Sequence, residues 1–289
     1  MRVDLVLAAA LTLSAATSYA GPQGRPQTLV ERSSLRSRIE VDLIARANPL
    51  GFAAQLLAGV ELPYGGVDAT YGPRAHLRAG VVTVLSPASV SGGLQLEWMP
   101  ALFAVLSLRA ELYGFFGANA GLLSFARADD DFGPSTLSER MQRDAEVASG
   151  QRLLFEPLLR AKLGGLVLRV QGKLAYHYFS GRGPLFYEAE HDTLLRRHDL
   201  LLGGSAAALW QVYQRGRHRT LLLGARYEVH HGLRAGLGRQ RLGAVAFWQP
   251  SDGGGSWGRP RVYLLVGVNL KDPNRRGRPY ALLGGGTSF

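Results

Sequence analysis

The sequence of 289 residues contains no cysteine, which excludes a disulfide framework, a thiolate metal site and a cysteine nucleophile. It also lacks long apolar runs, because after residue 20 the longest, such as residues 200–210, stop at about a dozen residues. A membrane-spanning helix needs about 18 or more, so a helical membrane protein is excluded. Acidic residues are scarce beside basic ones, 22 against 33, which leaves a net charge of +11. Apolar residues are abundant, at 46% of the chain, and exclude general disorder.

The first twenty residues have the pattern of a secretory signal peptide. A short polar start is followed by an apolar stretch over residues 5–16, and Ser18 and Ala20 stand at the positions that signal peptidase reads. We therefore predict a signal peptide over residues 1–20, cleaved after Ala20. Residues 21–37 are rich in Gly, Pro, Ser and Arg without apolar periodicity, and are predicted to be a mobile N-terminal segment.

From residue 38 onward, apolar residues alternate with charged or polar ones. Between residues 102 and 113 every second residue is aliphatic, whereas the other parity includes Arg109 and Glu111. A strand turns successive side chains to opposite faces, so one face is aliphatic and the other carries charge. A helix would scatter the leucines around its whole circumference. Residues 38–289 are therefore predicted to form an all-β domain.

Runs of this alternation, bounded by Gly, Pro or polar clusters, predict about twelve strands. Bacterial barrels have an even strand count, short turns at one end and longer loops at the outer end. The longest predicted connections, residues 115–150 and 180–198, follow the fifth and seventh strands, as this rule requires. We predict a single antiparallel transmembrane β-barrel with one or two long extracellular loops. Its strands are expected near residues 39–47, 52–63, 74–85, 90–99, 102–114, 151–163, 165–178, 199–213, 218–230, 238–248, 260–271 and 278–289.

Alternation alone does not distinguish a membrane barrel from a soluble barrel whose apolar face is turned inward. Two features favour the membrane: the charged face mixes Arg and Glu closely, as paired residues in a barrel interior would, and aromatic residues near the strand ends suit a girdle at the headgroups. These aromatic residues are Tyr64, Tyr71, Trp98, Tyr113, Tyr178, Trp210, Tyr213, Trp248 and Tyr280.

The third feature is the last residue, Phe289. With it, the chain resembles Gram-negative outer-membrane β-barrel proteins, whose last strand typically closes with a terminal aromatic residue read by the barrel assembly machinery. The resemblance implies that Phe289 is the assembly signal. It also implies that the protein lies in the lipid of the cell outer membrane.

The long loop over residues 115–150 is predicted to carry a short helix at about residues 137–147. Thr136 and Glu139 have the spacing of a capping box, and apolar residues then recur at helical intervals. The helix could fold into the barrel as a constriction or lie on the rim as a lid. Amphipathicity does not say which surface the helix covers, so both remain open.

His177 and Ser180 invite comparison with outer-membrane phospholipases and lipid A deacylases, which place His two residues before Ser so that both share a face. Here the spacing is three, which turns the two side chains of a strand to opposite faces. A lipid esterase is therefore the less favoured alternative, and we predict no catalytic residues. His230 and His231 also point apart, so no metal site and no cofactor are expected. Residues 129–131, three aspartates, favour a solvated turn over a calcium loop.

Nucleic acid is not an expected partner of the excess basic residues, because they are spread over loops and strands. These residues are predicted to lie in two places. One group is expected at the outer rim, where lipopolysaccharide phosphates would attract it: Arg182, Arg196, Arg197, Arg234, Arg275, Arg276 and Arg278. The other is expected to line the lumen with its acidic neighbours: Arg78, Arg109, Glu111, Arg160, Lys162, Arg169, Lys173, Arg226, Glu228 and Arg261.

A water-filled lumen with surplus cations would favour anions. We therefore predict a narrow, anion-favouring channel for small solutes. The alternative is a structural or surface-interaction barrel whose interior is filled by paired Arg and Glu side chains. Twelve strands enclose a far narrower space than the sixteen or eighteen of a porin, so this alternative carries equal weight.

Overall fold

The computed structural model describes residues 35–47, 51–64, 75–117, 121–215, 219–250 and 258–289. The predicted signal peptide, its cleavage site at Ala20 and nearly all of the predicted N-terminal segment lie outside these ranges. None of the helical segments within them has the length and apolarity that crossing a membrane requires.

Twelve strands form one closed antiparallel barrel, which confirms the predicted fold class. Every strand end lies within about four residues of its predicted position. The barrel strands are β1 (Arg36–Ala47), β2 (Gly51–Pro63), β3 (His76–Leu85), β4 (Ser89–Ala101), β5 (Ala104–Phe116), β7 (Val147–Leu163), β8 (Leu166–Phe179), β11 (His198–Arg215), β12 (Arg219–Gly232), β13 (Leu237–Gln249), β14 (Arg261–Lys271) and β15 (Pro279–Ser288). Three further strands, β6 (Ser124–Phe125), β9 (Leu185–Glu188) and β10 (Thr193–Arg196), form a small separate sheet in the order β10-β9-β6.

The barrel closes by pairing of its first and last strands. β1 and β15 run antiparallel from Glu40 opposite Ser288 to Ala47 opposite Ala281. The backbone of Phe289 extends this pairing, since its N–H donates to the carbonyl oxygen of Ile39 at 2.9 Å. Closure leaves no sheet edge unpaired, which a strand structure needs in lipid.

The apolar face of the alternation is the outer surface of the barrel. On β1, Ile39 is 46% exposed and Leu43 49%, whereas Glu40 is 4% and Asp42 2% exposed. A soluble barrel would show the opposite arrangement, with leucines inside and ions outside. The exterior is therefore the surface of a membrane barrel, as the alternation and the closing Phe289 predicted.

Aromatic side chains form a belt on the outer surface at the barrel end opposite the long loops. Trp98, Trp210 and Trp248 are each at least 45% exposed there, and the Trp98 indole donates a hydrogen bond to the Tyr64 hydroxyl. Such a belt is typical of a membrane–water interface. Two predicted members were wrong, because Tyr113 and Tyr280 face the interior. Tyr71 lies outside the described residues.

The interior is not entirely ionic, because β11–β15 and β1 bury an apolar cluster inside the barrel. Tyr263 is one of its members, and its ring lies directly over Gly284 of the neighbouring strand, where any Cβ would overlap it. Gly284 therefore makes room for an interior side chain. The cluster contains Ile44, Ala207, Leu209, Leu222, Val245, Phe247, Tyr263, Leu265, Tyr280 and Leu282.

The two long loops fold together into one compact unit. It consists of the β6-β9-β10 sheet and a helix, α1 (Pro134–Arg143), whose Leu137 and Met141 are buried against Phe125, Phe132 and the sheet. The helix was predicted about three residues too late. The predicted capping box was also wrong: Gly133 is the N-cap, Pro134 begins the helix, and the hydroxyl of Thr136 donates instead to Asp131.

Candidate functional site in the barrel interior

The turn of the β9–β10 hairpin is acidic and lies inside the barrel, at the end from which the long loops emerge. β9 and β10 pair antiparallel, with Tyr187 opposite Leu194, and the turn between them holds Glu190, His191 and Asp192. Asp192 has a φ of 56°, in the left-handed region that Asp tolerates better than most residues. The turn therefore aims its acidic side chains at the barrel wall.

Asp192 is the centre of the contact between hairpin and wall. It is fully buried. Its Oδ2 lies 2.9 Å from Arg239 and accepts a hydrogen bond from Arg241 at 3.3 Å, and both arginines are on β13. Its Oδ1 lies 2.6 Å from Arg275 and accepts from the Tyr187 hydroxyl at 2.6 Å. Burial alone would raise the pKa of Asp192, but the charges of Arg239 and Arg275 outweigh it and hold that pKa below its ordinary value.

Glu190 makes a second set of contacts with the opposite wall. It pairs with Arg152 of β7, and its Oε1 lies 3.1 Å from the ammonium of Lys173 on β8. Arg46 of β1 donates to the Glu190 carbonyl oxygen at 3.5 Å. Despite its burial, the pKa of Glu190 lies well below the ordinary range, because Arg152 and Lys173 favour its charged form. The hairpin tip is thus held from β1, β7, β8 and β13.

Glu188, Glu190 and His191 bring three potential metal ligands within 4.8 Å of one another. The Lys173 ammonium lies 3.1 Å from Glu190 and 3.0 Å from the Nε2 of His191, so it already supplies a cation to this group. His191 Nδ1 is in turn held by Glu188 at 2.7 Å. A metal ion would have to displace Lys173 and lie beside Arg152, which like-charge repulsion opposes.

A second ionic network lies near the opposite end of the barrel. Arg78 reaches Glu61 at 2.9 Å, Glu97 at 3.0 Å and Glu40 at 3.6 Å. Next to it, Arg261 contacts Asp42 at 2.8 Å across Gly286, whose missing side chain leaves room for the pair. Arg78 and Arg261 were both predicted to face the lumen.

The other predicted lumen residues differ in their hydrogen-bond and ion-pair partners. Arg109 donates to Gln95 at 2.9 Å and Arg226 to Glu228 at 2.8 Å, while Glu111 is bound by Arg152. The remaining predicted residues also point inward: Arg160 donates to the Leu102 carbonyl oxygen at 2.6 Å, Arg169 donates to Gln171 at 3.0 Å, and Lys162 is half-buried near the β7–β8 turn.

Of the residues that hold the hairpin, strand parity predicts only Lys173 and Arg152 to face the lumen. Glu190 and Asp192 stand in a loop, which strand parity cannot place. Arg239 and Arg241 share one parity of β13, and that signal could have identified them as inward-facing. Arg275 was predicted at the exposed rim. This was wrong, because it is fully buried beneath the loops, paired with Asp192.

The structure does not bring His177 and Ser180 together. His177 is buried inside the barrel, with its ring stacked on Phe179. Ser180 accepts instead from the Ser149 backbone N–H at 2.8 Å and the Ser149 hydroxyl at 3.1 Å.

In the loop that carries three consecutive aspartates, Asp130 and Asp131 accept backbone N–H groups of their own turn.

A small cavity of about 50 Å³ lies between the hairpin tip and the apolar cluster. Lys173, Glu190, Arg226, Arg241 and Tyr263 are among its lining residues. One water molecule needs roughly 10–15 Å³ by this measure, so the cavity could hold a few waters or one small ion.

A closed twelve-stranded sheet, an apolar outer surface with an aromatic belt and an ionic interior define this protein as an outer-membrane β-barrel. No family model matches the chain, and no curated protein matches it. Among solved structures it is similar to the β domain of the Bordetella autotransporter Brka, with 13% identity, a TM-score of 0.47 and coverage of 88% of this chain and 99% of that one. It is also similar to KdgM porin (9% identity, TM-score 0.40, coverage 87% and 99%) and to OmpT of Vibrio cholerae (8%, 0.36, 89% and 99%).

Proposed function

We propose that this outer-membrane barrel is closed by its own β9–β10 hairpin, and that it acts as a structural or surface-interaction barrel in this closed form. The observation that carries the proposal is the fully buried Asp192, held by Arg239, Arg241 and Arg275. Removing one partner of a buried ion pair costs about 3–5 kcal/mol. The docked hairpin is therefore the stable state at neutral pH.

A narrow, anion-favouring channel is the second candidate, and the wall around the hairpin tip supports it. Six cations reach the hairpin from β1, β7, β8, β13 and the β14–β15 loop, and they would face the opening if the hairpin moved away. A ring of cations lowers the barrier to negative solutes. These cations are Arg46, Arg152, Lys173, Arg239, Arg241 and Arg275.

Planar-bilayer recordings distinguish the two candidates. The wild-type barrel is expected to give no conductance steps at neutral pH, and steady steps from it would overturn the closed barrel. A variant with residues 185–196 replaced by a Gly-Ser linker is expected to conduct with a preference for anions. The double variant Glu190→Gln, Asp192→Asn should also conduct, because it removes the two carboxylates that hold the hairpin and leaves the rest of the hairpin unchanged. In the linker variant, Arg152→Gln should reduce the anion preference.

We also propose that the chain is exported and cleaved after Ala20, and that Phe289 is read by the assembly machinery. The mature protein from outer membranes should begin at Gly21, and a start at Met1 would contradict cleavage. The Phe289 ring is 57% exposed, so Phe289→Ser should lower the assembled yield without loosening the fold. Phe103, which is 62% exposed near the same end, gives the matched control, Phe103→Ser.

Exposed arginines at the loop end support lipopolysaccharide as a partner. Arg196 is the last residue of the hairpin and Arg197 follows it, and Arg234 lies nearby, donating to the His198 carbonyl oxygen. Guanidinium groups bind phosphate by paired, charge-assisted hydrogen bonds. Arg196→Ala with Arg197→Ala should weaken binding to lipopolysaccharide vesicles, whereas Arg127→Ala, which removes an exposed loop arginine paired with Asp129, should not.

A further inference from the structure

The cavity beneath the hairpin is lined on one side by two small residues of β11, Gly204 and Ser205, and by Arg226 of β12. Arg226 of β12 pairs with Ala207 on one side and Gly243 on the other, and Gly243 pairs with Gly267. Tyr280, opposite Gly267, extends its hydroxyl over Gly243, 3.0 Å from the position that a Cβ would take.

Two buried donors of this cavity have no hydrogen-bond partner within the described part of the chain. They are the Nε of Arg226 and the hydroxyl of Tyr263. The Nδ1 of His230, whose Nε2 lies 2.9 Å from Glu228, is a third atom of the lining residues without a partner there. Arg226 uses its Nη2 on Glu228 at 2.8 Å, which leaves its Nε side turned elsewhere. An unsatisfied buried donor costs about 1–3 kcal/mol, and more when it is charged. Two of them on one cavity therefore indicate a ligand that accepts hydrogen bonds.

The charges around the cavity identify the sign of that ligand. Among the lining residues, four cations face two carboxylates, which are those of Glu190 and Glu228; the cations are Arg46, Lys173, Arg226 and Arg241. Arg169, close behind Arg226, adds a further buried guanidinium, and its Nε and Nη1 have no partner among the described residues. An anion would offset this excess and accept from the free donors.

We propose that the cavity binds one small inorganic anion of halide size, held by Arg226 and the Tyr263 hydroxyl. The cavity volume of about 50 Å³ and the two carboxylates on its wall favour a compact, singly charged ion over a polyanion. The site goes beyond the closed barrel of the proposed function. It lies between the hairpin tip and the barrel wall, and both contribute lining residues.

Thermal unfolding of the folded barrel in detergent tests the site. A ligand that binds only the folded state raises the melting temperature with its own concentration, so sodium chloride should raise it saturably over sodium gluconate at equal ionic strength. Tyr263→Phe keeps the ring and removes only the hydroxyl, and it should weaken the apparent chloride affinity about tenfold. Arg226→Gln should abolish the chloride effect.

Arg109→Gln is the matched control, because Arg109 is an interior arginine that binds Gln95 and Glu111 away from the cavity. It should retain the full chloride response. Equal melting temperatures in chloride and gluconate would overturn the site, as would an equal chloride response in the Tyr263→Phe and wild-type proteins. The site rests on the docked hairpin of the proposed function, because Glu190 and His191 line the cavity. A wild-type barrel that is silent in bilayers but shows no chloride effect would remove the site alone, whereas a conducting wild-type barrel would remove the proposed function.

Discussion

Asp192 and Asp129 both pair with arginine, but burial makes the two pairs very different. Asp129 contacts Arg127 at 2.8 Å with both side chains about 70% exposed, while Asp192 is fully buried among three arginines. An exposed pair contributes about 0–1 kcal/mol because water and salt screen it. A buried charge that loses its partner costs several times more. The residues that hold the hairpin are therefore identified by burial rather than by charge.

Asp192→Asn is expected to loosen the hairpin, since three guanidinium groups lose the charge that balances them. A loss of about 3 kcal/mol in the free energy that holds the hairpin corresponds to roughly 100-fold faster hydrogen exchange through its opening. Hydrogen–deuterium exchange of the amides over residues 185–196 measures it. Asp129→Asn is the control and should leave that exchange unchanged. Equal exchange in both variants would show that Asp192 does not hold the hairpin.

Acid should release the hairpin only well below neutral pH. Burial raises the pKa of Glu188, but His191 lowers it further, to about 2 from an ordinary value of 4.5. A carboxyl with a lowered pKa stabilises the docked state fully above the ordinary value and loses that contribution as pH falls through about 2. Bilayer recordings should stay silent down to about pH 4.5 and show steps toward pH 2. Steps that already begin between pH 7 and 5.5 would contradict this pH dependence.

At the scale of single elements, β15 shows how glycine creates interior space. Gly284 and Gly286 point inward, where the Tyr263 ring and the Asp42 carboxylate occupy the room that side chains would take. Gly285 between them points outward, and an added Cβ would meet only Arg261 O at 3.4 Å and Val262 at 3.9 Å. The two inward glycines therefore make room for different side chains, Gly284 for Tyr263 and Gly286 for Asp42.

Gly284→Ala should destabilise the barrel by about 1–3 kcal/mol, because the Tyr263 ring must move in a packed interior. Gly285→Ala should change stability little, since its new methyl makes only ordinary contacts. Denaturant unfolding of the two variants measures the difference. Equal stabilities would mean that Tyr263 does not depend on the space above Gly284.

At the scale of the whole molecule, the outer surface makes the barrel a membrane protein. Leucines, valines and aromatic rings cover it, and the closed sheet satisfies its backbone groups internally. The same side chains would form an aggregating surface in water. Stability therefore depends on lipid along the whole circumference.

Leu94→Arg tests this dependence, because Leu94 is 68% exposed near the middle of β4. A cation on the lipid face at mid-depth costs about 2–4 kcal/mol, and near the interface about 0–1 kcal/mol. Leu233→Arg, in the exposed β12–β13 turn, is the control. Unfolding in lipid bilayers should separate the two. Equal costs would indicate that β4 does not face lipid.

The fold was predictable because strand parity is a local property. Alternation such as Ile39, Val41 and Leu43 against Glu40 and Asp42 determines which face meets lipid, whatever the partner strands are. Strand count and the long connections follow from the same pattern. The inward charges Arg78 and Arg261 belong to it as well, and both lie in ionic networks.

The position of the β9–β10 hairpin inside the barrel could not be predicted in the same way, because it depends on contacts between residues far apart in the chain. Asp192 meets Arg239 and Arg275 only after the barrel has closed and the two long loops have packed on each other. Loop residues have no fixed parity, so their direction is set by packing. The sequence by itself determined the membrane barrel, through a repeat that each strand carries alone. Only the tertiary structure decided that the β9–β10 hairpin lies inside it, because this position rests on buried charges brought together from distant parts of the chain.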